Sequence, residues 1–581
     1  MTRHDNRMPQ GWGPQPELPR QRDPIRLLLS LVLLCAAMSS TRIMDALLLC
    51  ALIVGVRRLR RRLLGHAVSA EPPWLPASAG RLLPAVLDEC QRLGGGLYLG
   101  TSRQGGWRLG RPERAVLLLG PPRSGKTSAV IIPALLAHAG PAVSTSTKPD
   151  VIVATGPARS QLGRVWQFDP TGTAAAAGMG GELRWSPVVG SRSWDGALLM
   201  ARAMVTGAGV GHGTTDSTHW SRRAQALLAP LLHAAATSEL GIDRVHGWVL
   251  SHDLDTPRQL LEGAGAELAA GIVVGLQNTE SRERSSIFSA AADALDAYSS
   301  TAALAAAANP NFDPDRFVHS RDTIYIHAPA EHQQLAAPLV CGLLAEVRAA
   351  TYRAHAARDL PRRVLLALDE VANIAPLAEL PAIASEGGGQ GLQLLAALQD
   401  LSQARARWGP AADGFLTLFG AKLILPGIAD SRTLEAVSVA LGEYDRPVVS
   451  TTRQPTDWLG TRPTRTFSTQ RQRVLSPGEI AAIPHCRALH LDGVAWELLT
   501  VTPAHASDPW RTLTQDSTPM NRRASVTSAG DPGSRGPLVA RHANGRFGDA
   551  PGRFGVRTEG AFSVVLGIGD VQAPCSGGLS C

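Results

Sequence analysis

The residues best suited to chemistry form one octet, Gly120-Pro121-Pro122-Arg123-Ser124-Gly125-Lys126-Thr127, set between an apolar run at 115–119 and Ser128-Ala129-Val130-Ile131-Ile132. The order is strand, glycine loop, helix. In that setting the N–H groups of the loop converge on phosphate oxygens at the positive end of the helix. The Lys126 ammonium would then bridge the β- and γ-phosphates of a nucleoside triphosphate, and the Thr127 hydroxyl would be a ligand for Mg²⁺. All eight residues are candidate nucleotide-binding positions. A flexible surface loop is the alternative, but lysine is so scarce in this chain that a chance match has a probability of roughly a few in a thousand.

A second set of groups follows residues 364–368, Val-Leu-Leu-Ala-Leu, where Asp369 and Glu370 stand at the end of a fully apolar strand. Hydrolysis of a terminal phosphate depends on placing water in line with it. Asp369 is the candidate to hold Mg²⁺ through water, and Glu370 the candidate to orient and polarise the attacking water. Taken alone, such a pair could equally cap a helix; the octet upstream favours the catalytic reading. A third apolar run, 392–398, ends in Gln399, placed to sense the γ-phosphate or else to serve as an ordinary polar strand end.

The elements that must position these groups alternate. Strands are expected near 111–119, 141–145, 163–168, 323–326, 364–368 and 392–398, with helices to 138 and over 332–352, a pattern that makes a mainly parallel α/β sheet. Between 194 and about 308 strand signals nearly vanish and alanine dominates, with helical windows at 219–236, 257–270 and 281–304. That stretch reads as an all-α insertion. The charged helix face Glu280, Arg282, Glu283 and Arg284 is expected to be solvated.

The full chain has 581 residues and a formal charge of +8, and its 57 basic residues include only three lysines, Lys126, Lys148 and Lys422. Where arginine has replaced nearly every other lysine, a surviving one hints that a compact ammonium is needed. Lys126 fits that idea, and Lys148 is a second candidate. The charge permits a nucleic-acid or acidic-membrane partner. The seven cysteines form no CxxC pair, so a reduced cytosolic setting without a zinc site is expected for most of the chain.

Residues 1–24 read as a polar cytoplasmic arm. Apolar runs at 25–38 and 43–56 follow, separated by Ser39-Ser40-Thr41-Arg42 and closed by arginines 57, 58, 60, 61 and 62. Each run is shorter than the roughly 20 residues of an upright span. A transmembrane hairpin over 25–57 nevertheless puts Arg20, Arg22 and Arg26 on the same side as those arginines, as charge bias requires. A single span, an interfacial helix and a buried soluble hairpin are the alternatives. Residues 58–110 read as a linker, 111–193 and 311–505 as two parts of a nucleotide-binding domain around the insertion at 194–310, and 506–581 as a disordered tail.

Taken in order, these motifs resemble the TraG/TraD-type coupling proteins of type IV secretion and conjugation, membrane-anchored ATPases related to FtsK and HerA translocases. The resemblance spans most of residues 25–505 and rests on the octet followed by Ile131-Ile132-Pro133, on Ser144-Thr145-Ser146-Thr147-Lys148-Pro149-Asp150 and on Phe168-Asp169-Pro170. It continues through Leu368-Asp369-Glu370-Val371-Ala372-Asn373-Ile374, the segment from Gly391 to Gln399 with Gln403 and Trp408-Gly409, and Ser476-Pro477-Gly478-Glu479-Ile480.

The resemblance implies a RecA-like P-loop NTPase domain with an inserted all-α domain that meets substrate. It also implies a homo-hexameric ring fixed to the bacterial inner membrane, ATP and Mg²⁺ as cofactors, and export of relaxase-bound single-stranded DNA, or protein, through type IV secretion channel proteins. A double-stranded DNA translocase of the FtsK type and a docking platform that binds nucleotide without turnover are the rival functions. One departure stands out. Relatives often carry a basic residue opposite 386–390 that reaches a neighbour's γ-phosphate, and this chain has none there. Arg405, Arg407 and Arg432 are the replacement candidates.

Overall fold

The computed structural model describes residues 81–172, 180–210, 217–452 and 464–515. The hairpin expected over 25–57 lies outside the described residues. Fourteen strands occur among those described: β1 Tyr98–Thr101, β2 Trp107–Leu109, β3 Val116–Leu119, β4 Ala142–Ser146, β5 Val165–Phe168, β6 Gly181–Glu182 and β7 Thr323–His327. The rest are β8 Val364–Leu368, β9 Leu392–Leu398, β10 Ala421–Ile424, β11 Glu443–Thr452, β12 Thr464–Arg473, β13 Arg487–Asp492 and β14 Ala495–Thr500.

Every residue of β3, β8 and β9 is buried. Near-continuous Val, Leu and Ala, broken only by the buried Gln393, whose amide donates to Gly95 O, is what a strand needs when helices cover both of its faces. These strands accordingly form the middle of a twelve-stranded sheet of order β2-β1-β14-β13-β10-β3-β9-β8-β4-β7-β5-β6. From β10 to β6 all neighbours are parallel. Beyond β10 the pairing turns antiparallel through β13, β14, β1 and β2. The order β3-β9-β8 matters most for function. It sets the ends of these three strands, and so the octet, Gln399 and the Asp369–Glu370 pair, side by side.

The helices Trp194–Ala208, Ser217–Thr237, Ile242–Ser251, Asp255–Gly263, Glu267–Gln277, Ser281–Leu295 and Thr301–Ala307 follow β6. Two expected helices are broken where the chain turns, at Gly265 with φ 69 and around Asp296–Ser299. Their apolar faces are continuous with the sheet's: Met200, Leu227 and Leu231 share one buried cluster with Leu119, Val143 and Leu366. The segment Ala330–Ala356 is long and apolar enough to cross a bilayer, yet 78% of its most apolar stretch is buried in the fold, which marks it as a core helix.

Two boundaries differ from expectation. Within the stretch expected to be linker, residues 82–110 build the helix Leu82–Arg92 and the strands β1 and β2. Past residue 506, where the tail was expected, the helix Trp510–Gln515 packs back onto them. The cause is a cluster of aromatic rings: Trp510 lies 4.7 Å from Tyr98 and 5.2 Å from Trp107, centroid to centroid. A further ribbon, β11 with β12, pairs in register from Glu443↔Arg473 to Thr452↔Thr464 outside the main sheet. Its base is fixed by a fork of hydrogen bonds, at 2.7 and 2.6 Å, from Arg473 to Glu435.

Candidate nucleotide-binding site

The octet leaves β3 at Gly120. A Cβ there would stand 2.6 Å from Ser124 Oγ and 2.9 Å from Leu425 Cβ, so only glycine lets the loop turn this tightly. Arg123 at φ 65 and Gly125 at φ 96 are left-handed. Right- and left-handed residues in succession turn neighbouring N–H groups toward one point, which makes an anion-binding concavity. The helix begins with Lys126–Ile131 wound as a π-helical turn and continues as Ile132–Leu136.

Lys126 is 7% exposed and folds over the loop, its ammonium donating to Gly120 O at 2.7 Å and Pro121 O at 3.2 Å. Burial lowers its pKa, and the charges of Glu370 and Asp369 oppose that shift. Thr127 and Asp369, 242 residues apart, meet directly: the Thr127 hydroxyl donates to Asp369 Oδ2 at 2.5 Å. From β4, Thr145 donates to the backbone carbonyl of Asp369 at 2.8 Å and fixes the end of β8 from its other side. The role of Thr145 is not legible in the sequence. Its only signal there is the run of hydroxyls, Ser144 to Thr147, closing an apolar strand.

Glu370 sits at φ 51, in the left-handed region. A non-glycine residue in that conformation costs about 1–2 kcal/mol, and such strain collects where a side chain has to be aimed. Burial raises the Glu370 pKa and Asp369 raises it further, while Lys126 and a hydrogen bond from the Gln399 side chain pull it down. Asp369 is likewise raised by burial, against its hydrogen bond from Thr127 and the charge of Lys126. Gln399 is fixed in turn, its N–H donating to Gln403 Oε1 at 2.9 Å. The structure therefore brings Lys126, Thr127, Asp369, Glu370 and Gln399 into one crevice at the carboxyl ends of β3, β9 and β8.

The three arginine candidates lie in different settings. Arg405 pairs with Asp430 at 3.0 Å. Arg407 donates to the carbonyls of Thr206 and Gly207, both at 3.0 Å, and ties the octet's domain to the helical insertion. Arg432 is exposed on the helix Ser431–Leu441.

The crevice suits a polyphosphate with a divalent cation. Ser124 Oγ is buried without a hydrogen-bond partner, an orphaned donor inside the loop. The lysine ammonium is held only by carbonyls of its own loop, and a hydroxyl and a carboxylate already face each other where a hard cation takes oxygen ligands.

The comparisons with known proteins agree with this geometry. No curated protein matches the chain in sequence. Among solved structures, the bacterial conjugative coupling protein TrwBΔN70 in its unbound form aligns with TM-score 0.54 at 18% identity, covering 71% of this chain and 91% of that one. TrwB with the ATP analogue ADPNP gives TM-score 0.52, 19% identity and coverage of 72% and 92%. TrwB with ADP and Mg²⁺ gives 0.52, 18%, and again 72% and 92%. At such identities the likeness establishes the α/β fold. The family model described as "Type IV secretory system Conjugative DNA transfer" matches residues 80–491, most of the chain, and the chain belongs to that family.

Proposed function

We propose that the protein is a Mg²⁺-dependent ATPase that acts as a type IV secretion coupling protein. In this reading it sits at the bacterial inner membrane through its N-terminal hairpin, keeps its bulk in the cytoplasm and works as a homo-hexamer that drives DNA, held by a relaxase, toward the secretion channel. The observation that carries the chemistry is the direct meeting of Thr127 with Asp369, with Glu370 one residue on and held by Gln399. Nucleotide-bound TrwB, a protein of the same fold, supports ATP and Mg²⁺ as the ligands.

A bound Mg²⁺ would supply positive charge to offset the negative charge developing on the phosphate. Lys126 exchanges its two loop carbonyls for phosphate oxygens, and the Ser124 hydroxyl and the N–H groups of the concavity donate to the same group. Thr127 and Asp369 would hold the cation, Asp369 through water. Glu370 accepts a hydrogen bond from the attacking water and lines it up, while Gln399 fixes the carboxylate's direction. Burial of the crevice strengthens each of these interactions.

Lys126→Ala should abolish nucleotide binding and turnover together. Glu370→Gln should retain binding and lower turnover by about 10²–10³-fold. ATP hydrolysis and DNA transfer are the measurements, and unchanged activity in either variant would sink the mechanism. If the purified protein binds ATP without any DNA-stimulated hydrolysis, the docking platform is the better reading.

A further inference from the structure

A cavity of about 710 Å³ opens at the carboxyl ends of β4, β7 and β5, outside the crevice that holds the octet. β4 separates the two. Its side chains alternate in direction: Thr145 is spent on Asp369, while Ser144 and Ser146 line the cavity. Ser144 is 1% exposed, and its hydroxyl has no hydrogen-bond partner. His327 at the end of β7 lines the same space, and its buried Nδ1 is also without a partner. Both residues line one hollow, and each keeps a buried polar atom unpaired beside it, which is unusual enough in a native fold to need an explanation.

The surrounding groups define its chemistry. The ten-residue helix Asp150–Arg159 starts at the cavity with no side-chain cap, and Val151 and Ile152 of its first turn form part of the wall. The exposed Lys148 stands at the mouth. The Ser146 hydroxyl accepts from Lys148 N at 3.2 Å, which leaves its own proton to donate. An uncapped helix N-terminus, an ammonium and two hydroxyls make an anion site, against which the exposed Asp150 in the helix's first turn sets one negative charge. Deeper in, the wall is apolar, with Phe168, Leu183, Ala302 and Ala306, and Gln167 offers an amide. Glu182 adds a carboxylate, which accepts from hydroxyl or amino groups, while Asp169 Oδ1 already accepts from Thr171 N, Thr171 Oγ1 and Gly172 N. A hollow of this size is far larger than inorganic phosphate and falls in the range of small-molecule sites.

We propose that this cavity is a second site that takes a nucleoside phosphate, its phosphate on Lys148 and the helix N-terminus and its base among the apolar residues beneath. The nucleoside phosphate is either a free nucleotide or one unit of a DNA strand. The site does not depend on the ATPase reading.

The probe is AMP, which lacks the β- and γ-phosphates that a lysine such as Lys126 grips. Titrated into the full chain, AMP should bind at one site per chain. Lys126→Ala should leave that binding unchanged, Lys148→Ala should weaken it by about tenfold or more, and Ser144→Ala should weaken it by a smaller factor. An oligothymidylate that displaces AMP assigns the site to the strand; failure to displace it assigns the free nucleotide. The proposal is overturned by absence of AMP binding at about 1 mM, by loss of binding in Lys126→Ala with none in Lys148→Ala, or by inorganic phosphate binding as tightly as AMP.

Discussion

Glu346 shows what one buried carboxyl does to a helical core. It lies in the helix Gln333–Ala356 and accepts a hydrogen bond from Trp185 Nε1 at 2.6 Å, close beneath the turn at Gly190. Burial pushes its pKa up to about 7, against the Trp185 hydrogen bond and the charge of Arg353. A carboxyl whose folded pKa exceeds its unfolded one binds more protons when folded, so stability falls as pH rises between the two values. The window here runs from an ordinary glutamate value, about 4.5, to about 7, and the shift corresponds to about 3 kcal/mol. Glu346→Gln keeps an acceptor for Trp185 and removes the ionisation. It should melt higher than the native chain at pH 8 and close to it at pH 5; a gap that stays constant across that range would refute the assignment.

At the scale of elements, Arg159 joins three segments without a carboxylate partner. Fully buried, it donates to Thr323 Oγ1 at 2.7 Å and Gly140 O at 2.7 Å, and also to His138 O, Leu135 O and Arg321 O. The end of the octet's helix, the start of β4 and the start of β7 are pinned together by one guanidinium fork. Lysine cannot reproduce this planar fork. Arg159→Lys should therefore cost about 3 kcal/mol or more, read as a fall in the thermal midpoint, even though charge is conserved.

The helix Trp510–Gln515 is a latch of the same kind, since Trp510 and Leu513 share a core cluster with Leu83, Val86 and Tyr98. Deleting residues 506–581 removes it and deleting 517–581 does not, so the first deletion should melt well below the second. Loss of a buried tryptophan alone is worth about 3–5 kcal/mol. Equal midpoints would show that the aromatic cluster stabilises nothing.

These elements also show what the amino-acid pattern could reveal. The octet and Asp369–Glu370 were legible because each is a local strand-to-loop junction with apolar residues on one side and chemistry on the other. β8 and β9 were legible to the residue, since a run such as Leu392–Leu398 buries all seven of its side chains. The strand β2 has only three residues and the helix Trp510–Gln515 only six, too short to carry a period, and both owe their place to contacts some 400 residues apart in sequence. The antiparallel pairing of β1 with β14, Thr101 opposite Thr500, was hidden for the same reason. Arg159 looked like any other arginine, because nothing local marks a side chain whose acceptors lie at 135–140 and 321–323.

For the whole molecule, the decisive question is whether one chain contains a complete catalytic centre. Lys126 is the cation that bears on both Asp369 and Glu370. Arg405 and Arg407 are committed to Asp430 and to the carbonyls of Thr206 and Gly207. Arg432 is exposed, takes part in no ion pair or hydrogen bond among the described residues, and follows β10, the strand next to β3. If the chains work as a ring, Arg432 is the one of the three candidates left free to reach a neighbour's phosphate. Arg432→Ala should then leave ATP binding intact and lower turnover by about a thousandfold or more, as removal of such a finger does. Mixing gives the sharper test. When native subunits are combined with rising fractions of subunits that carry both Glu370→Gln and Arg432→Ala, independent centres lose activity in direct proportion, whereas centres that draw a group from the next chain lose it more steeply. Adding Arg432→Ala subunits to Glu370→Gln subunits should restore part of the activity, because a centre with native Glu370 then meets a neighbour with native Arg432. A linear loss in the first mixture, together with no rescue in the second, would mean that each chain completes its own site.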